Sequence, residues 1–113
     1  MLPFSLLLAF ALSNAPTPPD DAPNVEHACA ADAREHARAL LVLHTGTDKP
    51  VLIEDTVEVL PSIANPVAHA QRLDVLQVHG YLYKSRYRFR LLYAQVPGSC
   101  LLMGQEVLEL SRL

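Results

Sequence analysis

The sequence RYRFRLLY, at residues 86–93, alternates cationic and apolar side chains with the two-residue period of a β-strand. One side of this strand carries the apolar and aromatic residues Tyr87, Phe89, Leu91 and Tyr93. The other side carries Arg86, Arg88 and Arg90. We therefore predict a strand over residues 87–96, with its aromatic face buried in a core and its cationic face directed away from it.

Three further segments have strand character, namely residues 51–60, 73–83 and 100–110. Pro61 is predicted to end the first of these strands, and Gly80 is a candidate bulge in the second. The turn that leads into the last strand is predicted at Pro97-Gly98-Ser99. Residues 67–72, after Asn65 and Pro66, are predicted to form one or two helical turns, because Asn-Pro resembles a cap followed by a first-turn proline.

Residues 25–44 are predicted to form a helix, since they are rich in Ala, Arg, Glu and Leu. Asn24 is the expected N-cap, and Gly46 lies where a glycine commonly ends a helix. Small and apolar residues recur along one stripe at three- and four-residue steps: Cys29, Ala33, Ala37 (or His36), Leu40, Leu41 and His44. The predicted fold is α+β, with one N-terminal helix packed on a four-stranded, mostly antiparallel meander sheet.

The N-terminal residues 1–15 have the pattern of a secretory signal peptide. Their apolar stretch, Phe4 to Leu12, is nine residues long, which is too short for a membrane span of ~20 residues. Cleavage is expected after Ala15 or after Ser13. Residues 16–24 hold four prolines and two aspartates and are predicted to be an extended lead-in to a single domain over residues 25–113. The alternative is a buried N-terminal helix.

The two cysteines, Cys29 and Cys100, are predicted to form a disulfide, because an even count in an exported chain favours one. Cys29 lies on the apolar stripe of the predicted helix. Cys100 shares its parity with Leu102, Leu108 and Leu110, a face that is predicted to pack on that helix. A catalytic thiol and a metal ligand are the competing interpretations, and neither has supporting spacing.

The sequence lacks a recognisable catalytic, metal or cofactor site. None of the helical histidines His27, His36 and His44 is three or four residues from another, as zinc ligands on one helix would be. The segment around Ser99 does not match a nucleophile elbow. The net charge of −3, from 12 acidic and 9 basic residues, does not favour nucleic acid as a partner. After signal cleavage we expect no stable membrane anchor.

The cationic side of the strand at residues 86–93 is the candidate partner-binding face, comprising Arg86, Arg88 and Arg90 with Tyr81 and Tyr83 on the preceding strand. In the alternative interpretation, these arginines pair within the sheet with Glu54, Glu58, Glu106 and Glu109.

We expect a non-enzymatic protein-binding module, such as an inhibitor, immunity or envelope-accessory protein, in the periplasm or outside the cell. Its partner would be another exported or envelope protein. A small enzyme or ligand carrier would instead need a pocket between helix and sheet lined by His and Tyr. A subunit of an envelope assembly would need an exposed strand edge for β-augmentation.

Overall fold

The computed structural model describes residues 25–112, so the predicted signal peptide, the lead-in and the Asn24 cap lie outside the described residues. The elements are α1 (Ala30–Thr45), β1 (Leu52–Ile53), β2 (Glu58–Asn65), β3 (Ala68–Leu82), β4 (Ser85–Ala94) and β5 (Leu102–Arg112). The helix packs on one face of an antiparallel five-stranded sheet. The predicted α+β class is therefore confirmed.

The sheet is four strands wide, because β1 and β2 lie end to end along the same edge of β3. β2 pairs with residues 68–77 of β3, and β1 pairs with Gly80 and Tyr81. The strands β2, β3, β4 and β5 follow one another as a meander. The single strand predicted over residues 51–60 is thus divided into two.

The hairpin between β2 and β3 corrects two predictions. Pro61 lies inside β2 instead of ending it, which an edge strand tolerates because a proline N–H is not needed there. Residues 68–72 belong to β3, so the predicted helical turns are wrong. The Asn65 side chain accepts a hydrogen bond from the backbone N–H of Val67 at 3.0 Å, which closes a tight turn. Asn-Pro here starts a turn and not a helix.

The helix ends as the sequence predicts, with Gly46 in the left-handed region at φ 67° and its N–H bonded to the carbonyl of Val42. It begins at Ala30, five residues after the predicted start, because a turn at Ala28 and Cys29 precedes it. The buried stripe consists of Ala30, Ala33, Ala37 and Leu41. Three of these four side chains are methyl groups, so the helix axis can approach the sheet closely.

The core lies between α1 and one side of the sheet, and the apolar face of β4 forms a large part of it. All four residues of that face, Tyr87, Phe89, Leu91 and Tyr93, are buried as predicted. The Tyr93 hydroxyl donates a hydrogen bond to the Asp32 carboxylate at 2.7 Å, which links β4 to the helix. Burial and this bond raise the pKa of Tyr93 well above its ordinary value. The tyrosine therefore serves as a neutral donor in the core.

A bulge in β5 overturns the predicted packing of that strand. Leu102 lies opposite Tyr93 and Gly104 lies opposite Leu92, so Met103 is an extra residue. One inserted residue moves the following side chains to the opposite face. Leu102 packs against the core, but Leu108 (43% exposed) does not, and Leu110 (37% exposed) is the extra residue of a second irregularity, between Glu109 and Ser111. The prediction for those two leucines is therefore wrong.

Candidate partner-binding face

The surface of the sheet opposite α1 is called the open face here. The register places on it the even-numbered residues of β4 and their neighbours on the other strands. These residues are Glu58, Leu60, Ile63, Leu73, Val75, Gln77, His79, Tyr81, Arg86, Arg88, Arg90, Leu92, Glu106 and Leu108. The open face thus combines the predicted arginines with apolar residues that the sequence analysis did not assign to it.

The structure brings together four of the five residues predicted for this face. Tyr81 lies directly opposite Arg86, and Arg88 and Arg90 continue along β4. Tyr83 lies apart from them, in the two-residue turn between β3 and β4, with φ 54° and 89% of its surface exposed. The ammonium of Lys84 is 5.5 Å from the centre of the Tyr83 ring. Tyr83 therefore belongs to a separate, exposed tip.

A row of directly opposite polar residues crosses all four strands: Glu58, Gln77, Arg90 and Glu106. The Nε of Arg90 donates to the Gln77 side-chain oxygen at 2.8 Å. The Gln77 amide in turn donates to Glu58, also at 2.8 Å. Arg90 is therefore linked to Glu58 through Gln77. This link agrees in part with the alternative interpretation, in which the arginines pair with glutamates within the sheet.

Arg88 is less completely paired than Arg90. Its Nη2 lies 3.8 Å from Glu106 Oε1, which is long for a hydrogen bond between charged groups. Its Nε is buried and has no hydrogen-bond partner among residues 25–112. Buried donors in folded proteins are nearly always paired. Arg88 consequently retains hydrogen-bonding capacity that the described part of the chain does not use.

At the end of β3, Tyr81 is paired with a carboxylate. Its hydroxyl donates a hydrogen bond to Glu54, and this bond raises the pKa of Tyr81 above its ordinary value, while Arg86 acts in the opposite direction. Glu54 therefore pairs with the tyrosine and not with an arginine as the alternative predicted. The phenol stays protonated and presents its ring beside Arg86.

An apolar zone occupies the other half of the open face, around Leu60, Ile63, Val75 and Leu92. Ile63 is 41% exposed, and with Val75, Leu92 and the row residues Arg90 and Glu106 it lines a shallow depression of about 320 Å³. This zone was not predicted, because the first strand was expected to end at Pro61. The β-branched Ile63 beyond that proline was the available signal.

A cavity of about 480 Å³ lies at one end of the sheet and not between helix and sheet. It is lined by Cys29, Cys100 and residues 94–99. The two sulfur atoms lie 2.17 Å apart, at disulfide distance, with a Cα–Cα separation of 5.6 Å. This cysteine pair is compatible with an oxidising, exported location.

His27 and Asp74 also line this cavity. The His27 Nδ1 accepts a hydrogen bond from the Cys29 N–H at 2.9 Å, so a neutral imidazole holds its proton on Nε2 and donates it to Asp74, 2.9 Å away. The Gln95 amide donates to the other Asp74 oxygen at 2.8 Å. These bonds join three segments of the chain, and they lower the pKa of Asp74 below its ordinary value.

Replacing Asp74 with asparagine is expected to reduce the acid sensitivity of the fold. A carboxylate whose pKa is lower in the folded chain stabilises it above the unfolded value of 3.8, and this stability is lost as the pH falls through the folded pKa. Urea unfolding at pH 7, 5 and 3 would measure the effect. Asp74→Asn should reduce the loss in free energy of unfolding between pH 5 and 3. Asp48→Asn, at an exposed loop residue, should leave that loss unchanged. Equal slopes in all three proteins would contradict this role.

Within residues 25–112, no group of three or more His, Cys, Asp or Glu side chains is placed to hold a metal ion. No helix in the same range is long and apolar enough to cross a membrane. Comparisons with known protein families, curated proteins and solved structures found no match.

Proposed function

We propose that this protein is an exported, non-enzymatic binding module that engages another exported or envelope protein through its open face. The observation that carries the proposal is the exposure of Ile63 and Leu108 on the same face as Arg88. The second face of an antiparallel sheet is ordinarily polar where it meets water. Exposed apolar side chains among polar ones are typical of interaction surfaces.

The partner surface that fits this face combines a carboxylate with aliphatic side chains. Arg88 supplies a guanidinium with incomplete pairing, and arginine binds carboxylates through two parallel hydrogen bonds. The depression beside Ile63 and Leu92 is open to one or two aliphatic side chains. Arg90 acts differently, because its bond to Gln77 holds it in position at the boundary between the two zones.

Export is supported by two independent features. The first fifteen residues have the pattern of a signal peptide, and the cysteines lie at disulfide distance. Both would be expected of a protein that works in an oxidising compartment.

Intact mass of the protein recovered from its native compartment should show a chain beginning at Asn14 or Pro16. Recovery of the soluble chain with Met1 still present would contradict this part of the proposal.

Replacing Arg88 with alanine is expected to weaken partner binding at least tenfold, since a central interface arginine commonly contributes ~2 kcal/mol or more. The melting temperature should hardly change, because the Arg88–Glu106 pair is long, at 3.8 Å, and its glutamate is exposed, so that it contributes only ~0–1 kcal/mol. The experiment is affinity capture from the native compartment with the oxidised protein as bait, followed by titration of the captured partner. Ile63→Ser should also weaken binding of the same partner.

Arg38→Ala is the matched control, since Arg38 lies on the exposed side of α1, away from the open face, and donates a hydrogen bond to the Val51 carbonyl at 3.3 Å. It should bind as the unaltered protein does. If a partner binds Arg88→Ala, Ile63→Ser and Arg38→Ala with equal affinity, the open face is not its binding surface.

A double-mutant cycle between Arg90→Ala and Glu58→Ala measures the link between these residues through Gln77. We expect a coupling of ~0–1 kcal/mol in the free energy of unfolding.

A further inference from the structure

The two cysteines of the Cys29–Cys100 bridge differ in their exposure to solvent. Cys29 is 4% exposed and belongs to the core cluster beneath α1. Cys100 is exposed, in the loop between β4 and β5. Both line the cavity of about 480 Å³ at this end of the sheet, together with the small or apolar residues Ala28, Ala94, Val96 and Pro97. A sulfur atom of another molecule can therefore approach Cys100, whereas Cys29 is covered by the protein.

Access and leaving-group stability determine how a disulfide exchanges with a thiol. A thiolate attacks one sulfur atom of the bridge, and the other sulfur leaves as a thiolate. The reaction is faster at the more accessible sulfur, and faster when the departing thiolate is the more stable of the two. The exposure of the two residues favours attack on Cys100, which makes Cys29 the leaving sulfur.

The surroundings of Cys29 stabilise a thiolate at that position. Cys29 is the N-cap residue of α1, and in the bridged protein no side chain caps this helix. An N-cap side chain ordinarily accepts a hydrogen bond from the second or third N–H of the helix, which here belong to Ala31 and Asp32. These N–H groups and the positive end of the helix dipole both favour a negative charge on the Cys29 sulfur.

Two carboxylates lie near this end of α1, and each accepts a hydrogen bond from another side chain. Asp32 accepts one from the Tyr93 hydroxyl at 2.7 Å, and Asp74 accepts one from the His27 ring at 2.9 Å. Because these donors compensate part of the negative charge, the carboxylates repel a thiolate at Cys29 less than free carboxylates would. The end of the helix therefore remains favourable for an anion.

We propose that Cys100 is a site of reversible thiol exchange, at which a dithiol oxidoreductase of the same compartment opens the Cys29–Cys100 bridge while the protein stays folded. Attack comes from the cavity, and the released Cys29 thiolate becomes the side-chain cap that α1 lacks in the bridged protein. This proposal depends on the bridge and its surroundings, and it does not depend on the partner-binding face.

The exchange takes place in two steps. In the first, a thiolate of the oxidoreductase forms an S–S bond with Cys100 Sγ, and the bond to Cys29 breaks with its electron pair on Cys29. In the second, the other thiol of the oxidoreductase loses its proton and attacks the first, so that Cys100 leaves as a thiolate. The oxidoreductase gives up two electrons and becomes a disulfide, while the bridge becomes two thiols or thiolates that take the protons released. The same two steps in reverse close the bridge.

The first test asks whether the bridge opens without unfolding of the chain. The oxidised protein is treated with dithiothreitol at urea concentrations below its unfolding transition, and free thiols are alkylated and counted by intact mass. Direct attack should give a rate that is proportional to dithiothreitol and changes less than about twofold per molar urea. Opening that requires global unfolding would accelerate about tenfold per molar urea, in parallel with the unfolding equilibrium, and would overturn the proposal.

The second test identifies the sulfur that is attacked. The oxidised protein is incubated with glutathione, a monothiol that cannot complete the second step, and the mixture is quenched with an alkylating agent. Peptide mass spectrometry should then find glutathione on Cys100 and the alkyl group on Cys29. Ser99→Ala, which alters the neighbouring loop residue and keeps both cysteines, should give the same distribution. Glutathione found mainly on Cys29, or equally on both cysteines, would contradict the assignment of Cys100 as the site of exchange.

Discussion

Replacing Cys29 and Cys100 together with alanine is expected to lower the free energy of unfolding by about 4 kcal/mol. The two cysteines are 71 residues apart in sequence, so the bridge removes much of the conformational freedom of the unfolded chain. For a domain of this size the melting temperature should fall by roughly 15–30 °C. The loss is large against a total stability of about 5–15 kcal/mol.

Thermal and urea unfolding of the oxidised protein and of the double alanine variant measure this effect. Ser99→Ala is a suitable control, since it alters the same exposed loop and leaves the bridge in place. The double variant should still bind its partner, because the bridge lies at the end of the sheet away from Arg88 and Arg90. A fall in melting temperature of less than about 5 °C would show that the bridge contributes little.

Replacing Gly80 with alanine is expected to cost about 1–3 kcal/mol, because the site has no room for a methyl group. An added Cβ would lie 2.9 Å from Ile53 Cδ1, 3.1 Å from Phe89 Cε2 and 3.3 Å from Leu41 Cδ2. These three atoms come from β1, β4 and α1, so they cannot all retreat together. Gly80 pairs regularly with Tyr87, so the predicted bulge is not found there. The glycine instead allows the side chains of β1, β4 and α1 to approach β3 closely.

Gly104→Ala is the matched control for this substitution. Its added Cβ would meet the Leu92 side chain alone, with Cδ1 at 3.1 Å, on the open face where that side chain can turn aside. Urea unfolding of the two variants should show a substantial loss for Gly80→Ala and less than about 1 kcal/mol for Gly104→Ala. Equal losses would indicate that strand propensity, and not helix–sheet contact, determines the need for glycine at position 80.

The parts of the fold that could be predicted from sequence are those that depend on local spacing. The two-residue period from Arg86 to Tyr93 requires a strand with one apolar face, because successive side chains point to opposite sides. Gly46 ends the helix because glycine adopts φ 67° without strain. The export pattern and the even cysteine count likewise favoured the Cys29–Cys100 pair, and the two sulfur atoms lie at disulfide distance.

The contents of the open face were decided only by tertiary structure. Pro61 does not end β2, because the strand lies at an edge and its pairing with β3 is set by residues far along the chain. The extra residue Met103 in β5 places Leu108 beside Arg88, and no local pattern marks it, since the bulge is defined by the pairing with β4. Gln77 links Arg90 to Glu58 only because three strands meet in one register. Sequence spacing determines which side of its own strand a residue faces, but strand pairing determines its neighbours.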